Sequence, residues 1–203
     1  IPLSVAAADL DGDGDLDLVS ANWSGDNLTV FRQESPGSFA ASPLVLGGPR
    51  VTNGPFSVAA ADLDGDGDLD LASANANGSN LTVFRQESLG SFSASPLVLG
   101  GPGLTDAPRS VAAADLDGDG GVDLVSANTG SSNLTVFRQE SSGSFAVSPL
   151  LLGGFPVTDA PYSVAAADLD GDGDVDLVSA NTGGSNLTVF LQGPPGSFAA
   201  SPL

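Results

Sequence analysis

A nine-residue acidic segment occurs four times in this chain of 203 residues, and successive copies begin 53 residues apart. The first copy reads DLDGDGDLD, and the four copies occupy residues 9–17, 62–70, 115–123 and 168–176. Nineteen of the 25 acidic residues lie in these copies, so they carry most of the formal net charge of −20. Because the interval is constant, each copy must occupy the same place in a repeated structural unit.

The period divides the chain into one repeat domain of four units, at residues 1–53, 54–106, 107–159 and 160–203. Every unit contains, in order, a VAAAD segment, the acidic loop, an SAN segment, an NLTVF segment and a GSF segment. These segments alternate apolar with polar residues or are β-branched, and none has the 3.6-residue period of a helix. We therefore predict four strands in each unit, which in the first unit cover residues 4–8, 16–22, 28–33 and 38–46.

Turn residues support this division. Pro36 and Gly37 suit the central positions of a type II turn, where the second residue takes a positive φ. The other units keep the glycine as Gly90, Gly143 and Gly196. Each predicted fourth strand contains a proline, at Pro43, Pro96, Pro149 and Pro202. Because proline cannot donate a ladder hydrogen bond, the fourth strand is predicted to lie at a sheet edge.

These features predict an all-β fold, a β-propeller built from four 53-residue, four-stranded blades. The small residues of the first strand suit a place where neighbouring sheets converge. The ring could close with four blades, or the chain could form part of a larger or oligomeric propeller. Strict repetition argues against a β-sandwich, and the long repeat argues against a stacked β-solenoid.

The acidic segment has the composition of a calcium loop. Calcium binds six to eight oxygen ligands in flexible geometry, and glycines let alternate carboxylates converge on one ion. We predict side-chain ligands at loop positions 1, 3, 5 and 9, and a backbone carbonyl ligand at position 7, where one unit has glycine. The predicted ligands are Asp9, Asp11, Asp13, Asp15 and Asp17; Asp62, Asp64, Asp66, Asp68 and Asp70; Asp115, Asp117, Asp119, Gly121 and Asp123; and Asp168, Asp170, Asp172, Asp174 and Asp176. The apolar residue at position 8 (Leu16 in the first unit) is predicted to anchor the loop to the blade core.

Other interpretations of the loop fit less well. An EF-hand needs a glutamate at position 12, where the four units have Ser20, Ser73, Ser126 and Ser179. Zinc favours histidine or cysteine, and the chain has neither. Solvated acidic turns without an ion are the remaining alternative, which the mutual repulsion of four or five carboxylates disfavours. Four divalent ions would bring the net charge to about −12.

The unit SVAAADLDGDGDLDLVSAN…NLTVF…GSF resembles the FG-GAP/VCBS repeat family, which includes the propeller head of integrin α-subunits. The resemblance covers essentially the whole chain. It implies one calcium ion in the hairpin between the first two strands of each blade, and an extracellular or cell-surface location. Family members usually close with seven blades, whereas this chain has four units.

Each unit also contains an N-L-T sequon, at Asn27, Asn80, Asn133 and Asn186. These asparagines are candidates for N-glycosylation, and the alternative is that they only begin the third strand. Trp23 and Tyr162 are the only tryptophan and tyrosine, and either could stack on a sugar in a lectin-like site. Trp23 has no aromatic counterpart in the other units, so no repeated pocket is indicated.

Composition disfavours several classes of function. The five basic residues are scattered arginines, which is a poor basis for nucleic-acid binding. No apolar run is long enough for a membrane span. Without histidine, cysteine or lysine, the chain has few groups for nucleophilic catalysis, and we expect no enzyme.

The sequence therefore predicts an extracellular calcium-binding repeat protein with a role in adhesion or structural assembly. The first alternative is a binding module for a glycan or protein, with calcium purely structural. The second is self-association into a ring or an extracellular filament.

Overall fold

The computed structural model describes residues 1–141 and 143–202, and it is built almost entirely from short antiparallel strands. The first unit contains a one-turn 3-10 helix at Trp23–Gly25 and the strands β1 Pro2–Ala8, β2 Asp17–Asn22, β3 Asn27–Phe31, β4 Gln33–Ser35, β5 Ser38–Phe39 and β6 Leu44–Gly47. The second contains β7 Pro55–Ala61, β8 Asp70–Asn75, β9 Asn80–Phe84, β10 Gln86–Ser88, β11 Ser91–Phe92 and β12 Leu97–Gly100. The third contains β13 Pro108–Ala114, β14 Asp123–Asn128, β15 Asn133–Phe137, β16 Gln139–Ser141, β17 Ser144–Phe145 and β18 Leu150–Gly153. The fourth contains β19 Pro161–Ala167, β20 Asp176–Asn181, β21 Asn186–Gln192 and β22 Phe198–Pro202.

Each unit forms one four-stranded antiparallel sheet, which confirms the all-β fold and its repeated blades. The strand orders are β1-β2-β3-β6, β7-β8-β9-β12, β13-β14-β15-β18 and β19-β20-β21-β22. The first strand of each sheet packs beside the first strand of the next sheet, in a propeller-like arrangement. These first strands share the sequence VAAA, and their small side chains allow the sheets to approach closely at this line.

The predicted continuous fourth strand was wrong in the first three units. There the segment divides into a short strand and an outer strand: β5 pairs with β4 in a two-stranded hairpin, and β6 pairs with β3. Gly37 sits in the tip of that hairpin with φ of 75°, as the turn pattern predicted. Pro43 lies before β6 rather than within it. The outer strand is nevertheless an edge strand, because it is hydrogen-bonded to one neighbour only.

The fourth unit differs from the others in its outer strand. Here β22 occupies the edge position and pairs directly with β21, with Gln192 opposite Phe198. In the first three units the outer strand is an LVLG or LLLG segment. In the fourth unit the FAASP segment pairs with β21, and β21 extends to seven residues.

The core lies between sheets rather than inside any one of them. Three apolar clusters are buried, one at each junction between successive units. In the first cluster, Val19 and Leu28 of the first sheet pack with Val58, Leu71 and Phe84 of the second. The strands β8 and β14 are buried along their whole length, because both of their faces contact a neighbouring sheet.

Candidate metal centre

The acidic loop joins the first two strands of each sheet and is shaped by its first aspartate. In the first unit one oxygen of Asp9 accepts a hydrogen bond from the Gly12 amide at 2.8 Å, and the other accepts one from Gly14 at 2.9 Å. Both glycines have positive φ, 73° and 92°, which other residues adopt at a cost. The same pair of bonds recurs in the other three loops.

The aspartate at loop position 9 is fully buried, and it connects the loop to the glutamine that lies two residues after the NLTVF segment. One carboxylate oxygen of Asp70 accepts from the Leu63 amide at 2.9 Å, and the other accepts from the Gln86 amide at 2.7 Å. Asp17, Asp123 and Asp176 make equivalent bonds. The sequence predicted a ligand at this position but missed its structural role.

Carboxylate oxygens converge in all four loops. In each loop three aspartates place one oxygen apiece within 4.8 Å of one another. The groups are Asp9, Asp11 and Asp13; Asp62, Asp64 and Asp66; Asp115, Asp117 and Asp123; and Asp168, Asp170 and Asp176. The side chains of Asp15, Asp68 and Asp174, at position 7, lie outside these groups. The groups also leave out Asp17 and Asp70 at position 9 and Asp119 and Asp172 at position 5, so the set of converging carboxylates differs between the loops.

The carboxylate at loop position 3 has an oxygen without a hydrogen-bond partner in three of the loops. One oxygen of Asp11 lies 3.9 Å from the Arg32 guanidinium, and one oxygen of Asp117 lies 3.7 Å from Arg138. The other oxygen (Oδ1) of Asp11, Asp64 and Asp117 is buried and has no hydrogen-bond partner. A buried carboxylate oxygen without a partner costs free energy, which a bound cation would offset.

Electrostatics in these loops disfavours the fully ionised state when no cation is present. Burial raises the pKa of the Asp11, Asp64 and Asp117 carboxyls, and neighbouring loop carboxylates raise it further. Burial also raises the pKa of Asp70 and Asp123 to about 6, although the backbone amides that they accept from lower it. A divalent cation beside these carboxyls would lower their pKa and favour the ionised state. Hard oxygen donors, flexible loop geometry and excess negative charge together fit calcium.

Two positions of the loop are apolar, and position 2 is buried more deeply than position 8, which the sequence predicted as the anchor. Leu10, Leu63 and Leu116 at position 2 are buried in the junction clusters. At position 8, Leu69, Val122 and Val175 are partly buried against the same clusters, whereas Leu16 is 57% exposed. Both positions are apolar in the sequence, so pattern alone could not separate them.

Beside each loop of the first three units lies an open groove, with volumes of about 650, 530 and 560 Å³. In the second unit it is lined by Asp64, Asp66, Arg85, Glu87 and Ser93, among others. These grooves would expose a bound cation to solvent and to an acidic or hydroxyl-bearing ligand. Their recurrence was not predicted from the sequence.

The sequon asparagines lie in a hydrogen-bonded hairpin. The Asn22 side-chain amide donates to Asn27 at 2.9 Å and to the Thr29 hydroxyl at 2.8 Å, and the same pattern recurs in every unit. The sequon threonines Thr82, Thr135 and Thr188 are fully buried. This network gives the asparagines a structural role, and glycosylation stays a prediction.

Trp23 and Tyr162 belong to a mixed cluster that the sequence did not reveal. The Arg109 guanidinium lies 4.6 Å from the Phe56 ring centre, 5.5 Å from Trp23 and 5.9 Å from Tyr162. Phe56 packs edge-on against both other rings. Phe56, Arg109 and Tyr162 occupy equivalent positions near the start of the first strand in successive units. This aromatic–arginine cluster is therefore a place where otherwise similar repeats differ.

Sequence comparison identifies the repeat. The model of the FG-GAP-like repeat matches residues 9–73, 62–126 and 115–179, which together cover most of the chain. No curated protein sequence matches it. Within the part of the chain that the structure describes, no helix is long and apolar enough to cross a membrane.

Several solved structures share the fold. An Agrocybe aegerita lectin that recognises non-reducing terminal N-acetylglucosamine matches 97% of this chain and 51% of its own, at 22% identity and TM-score 0.62. BBS1N, solved in complex with ARL6DN, matches 98% and 56%, at 18% identity and TM-score 0.64. The V. cholerae biofilm matrix protein Bap1 matches 98% and 28%, at 23% identity and TM-score 0.57. The chain thus spans about half the length of the first two structures.

Proposed function

Since this chain belongs to the FG-GAP-like repeat family, we propose that it is a calcium-binding repeat scaffold that acts outside the cell in adhesion or structural assembly. Each acidic loop would hold one calcium ion through its aspartates at positions 1, 3, 5 and 9. The observation that carries this proposal is the buried, unpartnered carboxylate oxygen of Asp11, Asp64 and Asp117. The same oxygen atom lacks a hydrogen-bond partner in three loops, at the point where the carboxylates converge.

The ion would supply charge compensation, and the chain supplies the rest of the site. Asp9 holds the loop through the Gly12 and Gly14 amides, and Asp17 connects it to Gln33 at the start of β4. Leu10 buries the loop base between two sheets. A bound cation would therefore stabilise both the loop and the sheet junction, so that metal binding contributes to folding free energy.

Chelation tests this proposal. In excess EGTA the melting temperature is expected to fall by many degrees, and added calcium, but not magnesium at equal concentration, should restore it. Magnesium requires stricter octahedral geometry and keeps more of its water. An unchanged melting curve in EGTA would contradict the proposal.

Three observations support an extracellular location and a non-catalytic role. Calcium at high free concentration would keep such loops filled outside a cell. Two of the structures with this fold are a lectin and a biofilm matrix protein, and this likeness supports an adhesive role. The chain has no histidine, cysteine or lysine to act as a base or nucleophile.

A second candidate function is glycan binding at the aromatic–arginine cluster. Tyr162 is 42% exposed, and the Arg109 Nε atom is buried without a hydrogen-bond partner among the described residues. Aromatic faces beside a guanidinium suit a sugar that carries a carboxylate. Binding of glucuronate-containing oligosaccharides should be lost in Arg109→Gln and Trp23→Ala, and kept in Arg50→Gln. Equal binding by all three variants would remove this candidate.

A further inference from the structure

The third acidic loop differs from the other loops at position 7. The residue there is Gly121, whereas the other three loops have aspartate, at Asp15, Asp68 and Asp174. All four loops share the aspartates at positions 1, 3, 5 and 9 and the glycines at positions 4 and 6. Gly121 is not among the residues with positive φ, and a backbone carbonyl ligand is available from any residue. Neither the backbone nor the predicted calcium site therefore requires glycine at this position.

The glutamine that lies two residues after the NLTVF segment makes different contacts in the third unit. In the first two units its side-chain oxygen accepts from the hairpin glycine of its own unit, from Gly37 at 2.9 Å and from Gly90 at 2.6 Å. In the third unit the Oε1 atom of Gln139 accepts instead from the Val122 amide at 2.9 Å. The Nε2 atom of Gln139 donates to the Leu63 carbonyl of the second loop at 2.6 Å. This side chain therefore joins the acidic loops of two units.

Gly121 leaves the space that this contact needs. A Cβ atom at residue 121 would lie 2.8 Å from the Oε1 atom of Gln139, which is closer than van der Waals contact allows. The amide group is the flexible end of the Gln139 side chain, so it would move away while the backbone stayed in place. Gln139 is 7% exposed, and such a movement would break both of its side-chain hydrogen bonds. Any residue with a Cβ atom at position 7 therefore opposes the link.

The link connects the buried aspartates at position 9 of the two loops. In the third unit the backbone amide of Gln139 donates to Asp123 at 2.8 Å. In the second unit Leu63, whose carbonyl accepts from Gln139, donates its own amide to Asp70 at 2.9 Å. Both aspartates are fully buried. A continuous path of hydrogen bonds therefore runs from Asp70 through Leu63 and Gln139 to Asp123.

We propose that Gln139 couples the cation sites of the second and third loops, and that Gly121 permits this coupling by leaving space for the Gln139 side chain. The coupling presupposes the calcium role proposed above for the loops. Once Asp123 is held by an ion in the third loop, Gln139 is held as well, and through Leu63 the second loop is partly ordered before its own ion binds. The second ion then binds at a lower cost in conformational entropy, which is positive cooperativity.

Residues of both loops line one small cleft, so electrostatic repulsion opposes this cooperativity. The cleft has a volume of about 220 Å³, and its lining includes Asp64 of the second loop, Asp119 of the third loop and Gln139. Two cations bound near each other repel, which weakens the binding of the second ion. The first and second loops are related by the same repeat and share this repulsion, but Gln86 is bonded to its own hairpin. That pair of loops therefore provides the baseline for measuring the effect of the link.

Calcium binding by variants with selected loops silenced tests the coupling. A loop is silenced by asparagine in place of its aspartate at position 3, which is Asp11, Asp64, Asp117 or Asp170. Competition with a chromophoric chelator gives the affinity of each loop alone and the two stepwise binding constants of each neighbouring pair. The coupling factor is the product of the stepwise constants divided by the product of the two single-loop affinities. It should be about two- to tenfold larger for the second and third loops than for the first and second, which is the effect of one neutral hydrogen bond.

Gly121→Ala perturbs the link most selectively, because it adds one carbon atom, changes no charge and keeps every loop aspartate. It should lower the coupling factor of the second and third loops to that of the first and second. Gln139→Ala should have the same effect. The matched control is Gln86→Ala, because Gln86 bonds to its own hairpin, and this variant should leave the factor unchanged. Equal factors for the two pairs without these substitutions, or equal losses in Gln139→Ala and Gln86→Ala, would overturn the proposal.

The reciprocal substitution tests whether glycine at position 7 is sufficient for the link. Asp68→Gly opens this position in the second loop, where Gln86 follows Leu10 by 76 residues, as Gln139 follows Leu63. Gln86 should then donate to the Leu10 carbonyl, and the coupling factor of the first and second loops should rise about two- to tenfold. A purely structural glutamine would change the melting temperature without creating coupling in a new pair of loops. No rise in the factor would contradict the role assigned to Gly121.

Nuclear magnetic resonance provides a measurement of the link that needs no calcium titration. Nuclear Overhauser contacts between the Gln139 side-chain amide and Leu63 are expected in the wild type and should be lost in Gly121→Ala. Their absence from the wild type would overturn the link. A chain that binds no calcium would contradict the proposed function, whereas calcium binding with equal coupling factors for both pairs of loops would contradict the coupling alone.

Discussion

Asp64→Asn is the substitution that separates calcium binding from loop structure most cleanly. Asp64 contributes to the carboxylate group of the second loop, and its Oδ1 is buried without a partner. Asparagine keeps the shape of the side chain but removes the charge. The second loop should therefore lose its ion, while the other three loops keep theirs.

The size of the effect follows from binding linkage. At calcium one hundred times the dissociation constant, one site stabilises the folded state by about 2.7 kcal/mol. In a domain of this length each kcal/mol corresponds to about 2–4 °C in melting temperature. The variant should then melt roughly 5–10 °C below the wild type in saturating calcium.

Without calcium, the effect of Asp64→Asn on the melting temperature should have the opposite sign. Burial and the neighbouring Asp66 raise the pKa of Asp64, so ionised Asp64 disfavours the folded state at neutral pH. A neutral asparagine avoids this cost, and the EGTA-treated variant should melt at or above the EGTA-treated wild type.

Asp68→Asn is the matched control. It removes the same charge from the same loop, but Asp68 at position 7 lies outside the converging carboxylates. Differential scanning calorimetry of both variants, each in calcium and in EGTA, gives four melting temperatures to compare with those of the wild type. If Asp64→Asn and Asp68→Asn shift the melting temperature equally in calcium, the reasoning about loop positions is refuted.

Two further perturbations test the fold. Burial raises the pKa of Asp70 and Asp123 from the ordinary value of 3.8 to about 6. The calcium-free protein should therefore lose stability as pH rises from about 4 to about 6, on the order of 1–3 kcal/mol per group. Denaturant unfolding at several pH values in this range measures whether stability falls as pH rises. The calcium-loaded protein should instead gain stability as pH rises, because acid protonates the calcium ligands. Leu116→Ala should lower the free energy of unfolding by about 2–5 kcal/mol, because it opens a cavity in the junction core. Leu169→Ala, at the exposed counterpart, should lower it by less than about 1 kcal/mol. Equal losses would contradict the assignment of the junction core.

Much of the blade could be predicted because its signals are local. The 53-residue interval indicated four equal sheets, and the glycine at position 37 indicated a tight turn. The strand edges also agreed within a few residues for the first three strands of the first unit. Each of these features depends on backbone preferences that neighbouring residues determine.

The features that were missed depend on neighbouring sheets. The hairpin of β4 and β5 interrupts the predicted fourth strand, and its Gly90 counterpart accepts from Arg32 of another unit. Position 2 is buried more deeply than position 8 because Leu10 packs in the cluster between the first and second sheets. In β8 and β14 both faces are buried, so the alternation of apolar and polar residues along the strand does not indicate which face lies in the core.

The candidate site also combines local features, which could be predicted, with long-range contacts, which could not. Carboxylate spacing predicted a calcium loop, because the ligand chemistry lies within nine consecutive residues. The dual role of Asp17, which accepts from Leu10 and from Gln33, depends on a strand 16 residues away. The aromatic–arginine cluster joins residues from all four units, and no short segment of sequence could have revealed it.

The number of calcium ions bound by one chain tests the central claim most directly. Isothermal titration of calcium into the chelator-stripped, dialysed protein should give four sites per chain, one for each carboxylate group. It should give three for Asp64→Asn and four for Asp68→Asn. Titration heats that show no saturable calcium binding, or the same stoichiometry for both variants, would contradict the account.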